Sequence, residues 1–127
     1  MKKLFALSNA KRKIAHLVGF QAEQKARQYL EDKGLIFVTQ NFRCKSGEID
    51  LIMRSGDEWV FVEVKFRQNN HYGAAADYFT RSKALKVKRA VVHYLLKSGY
   101  NPEHTAHRID LVAIDGNQIQ WLQAVQT

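Results

Sequence analysis

Asp50 and Glu63 stand thirteen residues apart, and Glu63 opens the tripeptide Glu63-Val64-Lys65. Two carboxylates and an amine brought to one point can hold a divalent cation and act on a phosphate, the requirements of phosphodiester hydrolysis. The local sequence predicts that they meet. Gly47–Arg54 and Glu58–Arg67 are rich in β-branched and aromatic residues, and Ser55-Gly56-Asp57 between them is a turn signal. A two-residue loop at Gly56-Asp57 sets Asp50 opposite Glu63 and Glu48 opposite Lys65. The same register sets Ile49, Leu51 and Met53 against Val64, Val62 and Val60 on the other face of the ribbon. A slip of one residue would mix the two sets.

Opposed carboxylates roughly 4.5–5.5 Å apart repel, so a cation is expected between Asp50 and Glu63, either Lys65 or a bound metal. Edge strands also carry acids and lysines simply for solubility. Asp50 in register and the apolar Ile52, Trp59 and Phe61 on the same face favour a site. Glu48 is read as a salt-bridge partner orienting Lys65 or, alternatively, as a second metal ligand. His71 is read as a solvent-exposed loop residue, and Asp110 as structural.

The elements that must position this group follow from pattern. Residues 1–15 are basic with little periodicity and read as an N-terminal arm or frayed helix, ahead of a single domain over 16–127. Residues 16–33 form an amphipathic helix through Val18, Ala22, Ala26, Tyr29 and Leu30, stopped by Gly34. Glu23 lies at the border of its apolar stripe, placed either to look along the sheet or to pair with Arg27. Leu35–Phe42 is a strand, and Gln68–Tyr78 a loop beside the acids. A second helix over Ser82–Lys97 stops at Gly99. Strands over Arg108–Ile114 and Gln118–Leu122 complete an α/β fold with one mixed sheet of about five strands flanked by helices.

Composition narrows the function classes. The 127 residues are 46% hydrophobic and 25% charged, ordinary globular values, and no apolar run is long enough to span a bilayer. A single cysteine, Cys44, excludes an internal disulfide and a cysteine-based zinc site, and suits a cytoplasmic protein. The net charge of +8 is unevenly placed: the first twenty residues hold five basic side chains and no acid, and Arg81–Arg89 hold five more. Basic clusters around an acidic centre suit a nucleic acid partner, with Arg43, Lys45, Arg67, Lys83, Lys86, Lys88 and Arg89 as candidate phosphate contacts. Solvated helix faces carry such runs too. The sequence leaves a homodimer open.

Asp50 followed by Glu63-Val64-Lys65 on the neighbouring strand resembles the signature of PD-(D/E)xK nucleases such as archaeal Holliday-junction resolvases. More closely, Gly19-Phe20-Gln21-Ala22-Glu23, Asn41-Phe42-Arg43, Gly47–Ile52, Phe61–Arg67, Lys83 and Arg108-Ile109-Asp110 resemble the bacterial YraN family, over about residues 17–116. Ile49 stands where many of these nucleases carry proline, and Phe66 where a small residue is common. The resemblance implies a restriction-endonuclease-like fold and a metal-dependent endonuclease acting on DNA, branched DNA included. It assigns Mg²⁺ or Mn²⁺ to Asp50 and Glu63, catalysis to Lys65, and a direct or water-mediated metal contact to Glu23. The alternative is a non-catalytic nucleic-acid-binding module that keeps the fold.

Overall fold

The computed structural model describes residues 2–68 and 74–126, with the side chains of residues 2–8 and of residue 78 left aside. His71 therefore falls outside the described residues. The elements are α1 (Lys2–Asp32), β1 (Ile36–Cys44), β2 (Gly47–Ser55), β3 (Glu58–Arg67), a 3-10 turn (Ala75–Tyr78), α2 (Arg81–Lys97), β4 (His107–Asp115) and β5 (Gln118–Leu122). Strands pair in the order β1-β2-β3-β4-β5. β3 and β4 run parallel, joined by the crossover through α2, and the other neighbours are antiparallel. This is the mixed α/β architecture that the pattern predicts.

The helices cover opposite faces of the sheet. Ala22, Ala26 and Leu30 of α1 pack on Leu51, Met53, Val60, Val62, Val112 and Ile114. Their spacing of four residues gives one narrow stripe, and two alanines let the helix axis lie close to the sheet. Leu30 is fully buried. Gly34, at φ +96, ends the helix, and Leu35 N donates back to Leu30 O at 3.0 Å. Val87, Ala90, Val91 and Leu95 of α2 pack on Ile49, Ile52, Trp59, Phe61 and Ile109.

α1 begins far ahead of residue 16. The basic segment is helical and continuous with the packed half, so a 31-residue rod of roughly 46 Å stands partly clear of the sheet. Its overhang leaves Ile14 and Leu17 more than half exposed.

The β2–β3 register is the predicted one where the strands pair: Leu51 with Val62, Ile52 with Phe61, Met53 with Val60. Beyond Leu51 the ladder stops. β2 stays with β1 down to Gly47, while β3 stays with β4 out to Arg67, so the sheet forks between β2 and β3. The expected alternation also fails at this point. Ile49 does not share a face with Leu51 and Met53; it joins Ile52 and Phe61 under α2. The cause lies on the neighbouring strand. Asn41, between the Gln40–Leu51 and Phe42–Ile49 pairs, has φ +55, a left-handed backbone that rotates the pleat.

A buried cluster closes the far edge. Asp110, with no exposed surface, accepts from Arg108 Nε (3.0 and 3.1 Å), Trp121 Nε1 (2.9 Å) and Ala124 N (2.9 Å). Arg108 also reaches Glu58 at 2.7 Å. Asp110 is structural, as expected.

Candidate active site

The fork is where the chemistry gathers. Backbone N–H groups of a strand point in the plane of the sheet toward the next strand. Val64 N has lost its partner in β2, and Asp50 Oδ2 accepts from it at 2.8 Å. The Asp50 carboxylate therefore lies in the gap, in the sheet plane, doing for one amide what a ladder carbonyl does elsewhere. Asp50 and Glu63 are 9% and 8% exposed and close enough for their charges to interact. Glu23 comes from α1 to lie beside Asp50, with Asn41 of β1 near it. Three carboxyls from three elements thus crowd into one cleft.

Such a cluster resists full ionisation. Burial, and then the hydrogen bond and charge of Asp50, push the Glu63 carboxyl far above its ordinary range, with Lys65 pulling weakly the other way. Burial followed by the Asp50 charge raises Glu23 to about 7, against the Asn41 hydrogen bond. Protons hold the group together when no cation does.

Lys65 and Lys83 sit side by side across from these acids. The positive charge of Lys65, then burial, lower the Lys83 pKa, while Glu63 opposes the shift. Lys83 occupies the first turn of α2, whose N-cap Thr80 accepts from Lys83 N at 3.3 Å. Among described residues this first turn carries no acid, and Arg81 stands beside Lys83. Cations at the positive end of a helix are locally unfavourable unless an anion is bound there. A cleft of about 490 Å³ takes in Glu23, Asp50, Glu63, Lys65, Arg67 and Lys83, with Ala15, Gly19 and Ala22 of α1 as its other wall.

Not every candidate takes its expected place. Glu48 lines the cleft but makes no ion pair with Lys65. It pairs with Arg43, its direct neighbour on β1, at 3.2 Å, because the fork carries β3 away from that end of β2. Both side chains are exposed, so this ion pair adds little stability. Lys45 is exposed in the β1–β2 turn. Lys86 packs its backbone and Cβ against Gly47. Lys88 and Arg89 lie on the outer side of α2 among Leu85, Val92 and Leu96. The basic run of α2 is therefore spread around the helix, and Lys83 alone of the four lines the cleft.

Asn41 was not singled out by sequence reasoning as a functional residue. Its signal was present in the Asn41-Phe42-Arg43 motif, since asparagine tolerates a left-handed backbone better than most residues.

The donor set suits a hard cation. Among the described residues no three His, Cys, Asp or Glu side chains are grouped around a common point with metal-holding spacing. Asp50 and Glu63 are two hard oxygen donors at one fork, and Mg²⁺ commonly takes only one or two carboxylates, completing its shell with water and substrate phosphate.

Fold and site together define a mixed α/β protein with a carboxyl-and-lysine cleft at a strand fork. The chain belongs to the family described as "Uncharacterised protein family UPF0102", whose model matches residues 22–114. That agrees with the YraN resemblance, and the matched span contains Glu23, Asp50, Glu63, Lys65 and Lys83. A UPF0102 protein of Shewanella frigidimarina is 48% identical over 105 residues, covering 83% of this chain and 94% of the relative. One of Yersinia pseudotuberculosis is 46% identical over 104 residues, covering 82% and 89%. One of Aliivibrio salmonicida is 45% identical over 103 residues, covering 80% and 84%. No helix among the described residues is long and apolar enough to cross a membrane.

Proposed function

We propose that this protein is a metal-dependent nuclease that hydrolyses phosphodiesters of DNA. The observation that carries the reading is the convergence of Glu23, Asp50 and Glu63 from three elements into one cleft, opposite Lys65 and Lys83. Burial and the Asp50 charge raise the proton affinity of Glu23 and Glu63, and a divalent cation can take the place of those protons.

Asp50 and Glu63 would hold Mg²⁺ or Mn²⁺, and Glu23, not grouped with them as a third direct ligand, would act on the ion through water. When bound, the ion supplies a Lewis acid for phosphate oxygens and lowers the pKa of a bound water. The chain's own groups do the rest. Val64 N fixes the orientation of Asp50 through Oδ2. Lys65, on the strand that bears Glu63, neutralises charge developing on the phosphate or orients the attacking water. Lys83 and the α2 N-terminus bind the same phosphate from the opposite wall. Arg67 extends the positive rim.

Titrating Mn²⁺ calorimetrically into wild type, Asp50→Asn and Lys65→Ala tests this, alongside cleavage of labelled single-stranded, duplex and four-way-junction DNA. The expected result is metal binding lost in Asp50→Asn, and metal retained but cleavage lost in Lys65→Ala. Equal metal binding by wild type and an Asp50→Asn, Glu63→Gln double variant refutes the nuclease reading. A second reading, a nucleic-acid-binding module without turnover, is favoured because no three metal-ligating side chains among the described residues are grouped to hold an ion. Salt-sensitive DNA binding without metal uptake or cleavage would establish it.

A further inference from the structure

A second cavity of about 390 Å³ adjoins the carboxyl cleft and shares Ala15, Gly19, Glu23 and Glu48 with it. Its own walls are of a different kind. Phe20 is half exposed at its side, although a phenyl ring gains nothing from water there. His16, one helical turn earlier, lines the same cavity, and Arg43 and Asn41 close it from β1. Two aromatic rings, a planar guanidinium and a carboxamide thus surround a space within the rough 300–1,000 Å³ range of small-ligand sites. Gly19 leaves its inner wall open, since a Cβ built there meets nothing within 4 Å.

From this juxtaposition we infer that the Phe20 cavity receives an unpaired nucleobase whose neighbouring phosphate lies in the carboxyl cleft. The inference rests on the nuclease reading and deepens it by naming the substrate class. Rings that stack on bases, with cations tracking the phosphates, are how proteins grip single strands. A paired base is stacked on both faces inside its helix and cannot enter such a cavity without leaving the duplex. The two cavities lie wall to wall, so base and phosphate of adjacent nucleotides can occupy them together. The preferred substrate is therefore DNA with unpaired nucleotides at the cut (a single strand, a flap, a gap or an open branch point) rather than intact duplex.

The test uses the full chain with Ca²⁺ in place of Mg²⁺, and DNA carrying 2-aminopurine either unpaired or within a perfect duplex of matching sequence. Wild type should bind the unpaired form roughly tenfold more tightly, with quenching of 2-aminopurine emission as the base stacks. Phe20→Ala should lose the preference and the quenching while keeping duplex affinity, and Phe20→Tyr should keep both. Circular dichroism checks that each variant is folded. Equal affinity for the two DNAs in wild type, or an equal loss on both in Phe20→Ala, overturns the base cavity. If such a wild type still takes up Mn²⁺ and cleaves DNA, the nuclease reading survives the loss. A wild type that binds neither metal nor DNA overturns both.

Discussion

Replacing Glu63 by glutamine should stabilise the metal-free protein at neutral pH, although it removes a proposed ligand. The folded state keeps Glu63 protonated beyond neutrality, because burial and the bond to Asp50 both oppose its charge. In the unfolded chain the same carboxyl titrates near its ordinary value of 4.5. Below that pH both states hold the proton and the group is neutral to stability. As pH rises, only the unfolded chain ionises, so folding stability falls steadily through the window up to the raised folded value. At pH 7 the loss approaches about 3 kcal/mol, since each pH unit above the unfolded pKa is worth about 1.4 kcal/mol. Glu63 is only 8% exposed, so solvent screening removes little of this. Glutamine has the shape of the protonated acid, can donate to Asp50 and does not titrate. Urea denaturation with a chelator at pH 5 and pH 7.5 should show Glu63→Gln ahead of wild type by up to about 3 kcal/mol at the higher pH and far less at the lower. Added Mn²⁺ should then reverse the order by stabilising wild type alone. A difference independent of pH would mean that Glu63 is ionised in the fold, with Lys65 outweighing burial, and would falsify the proton-sharing account of the cleft.

Lys83→Ala should reduce the slope of log affinity for DNA against log salt by about one phosphate contact, whereas Lys88→Ala should leave it unchanged; equal slopes would show that the cleft does not select among the lysines of α2. Asp110→Ala strands Arg108 Nε, Trp121 Nε1 and Ala124 N at once, so thermal unfolding should show about 3–5 kcal/mol lost, and a near-neutral result would mean that water replaces the carboxylate. Gly47→Ala should cost about 1–3 kcal/mol, because a Cβ there meets Lys86 O at 3.1 Å where α2 crosses β2; chemical denaturation reads it directly, and an unchanged midpoint would show that α2 can yield. Leu30→Ala should cost about 2–5 kcal/mol by opening a cavity under α1, and a smaller loss would show that the helix settles inward.

Much of this was legible because the strands obey simple rules. The Gly56-Asp57 turn and the valine alternation of Val60 and Val62 determine the register, and the pairs from Leu51 to Ser55 follow it. β3 and β5 begin and end where pattern puts them, since turn residues bound both. What pattern could not reveal was the place where the pattern stops. A strand fork is a tertiary event: β3 follows β4 through residues forty or more positions away, and nothing local in Glu48–Asp50 announces it. The misplacement of Glu48 has that origin, and that of Ile49 follows from the left-handed backbone of Asn41 on β1. The helical state of the N-terminal segment was hidden for the opposite reason: Ile14 and Leu17, exposed along its overhang, mark no core-facing stripe.

The bond between Val64 N and Asp50 Oδ2 turns one backbone amide into a gauge of the site. One lone pair of Asp50 Oδ2 is already engaged by Val64 N, which leaves Oδ1 the less encumbered oxygen. Every event at that carboxyl, whether ion uptake, a shared proton or displacement by a phosphate, changes the partner of a single N–H. Its nitrogen shift and exchange rate will follow those events without a label or a substrate. Nature has wired the strand that carries Glu63 and Lys65 to the state of its neighbour across the gap.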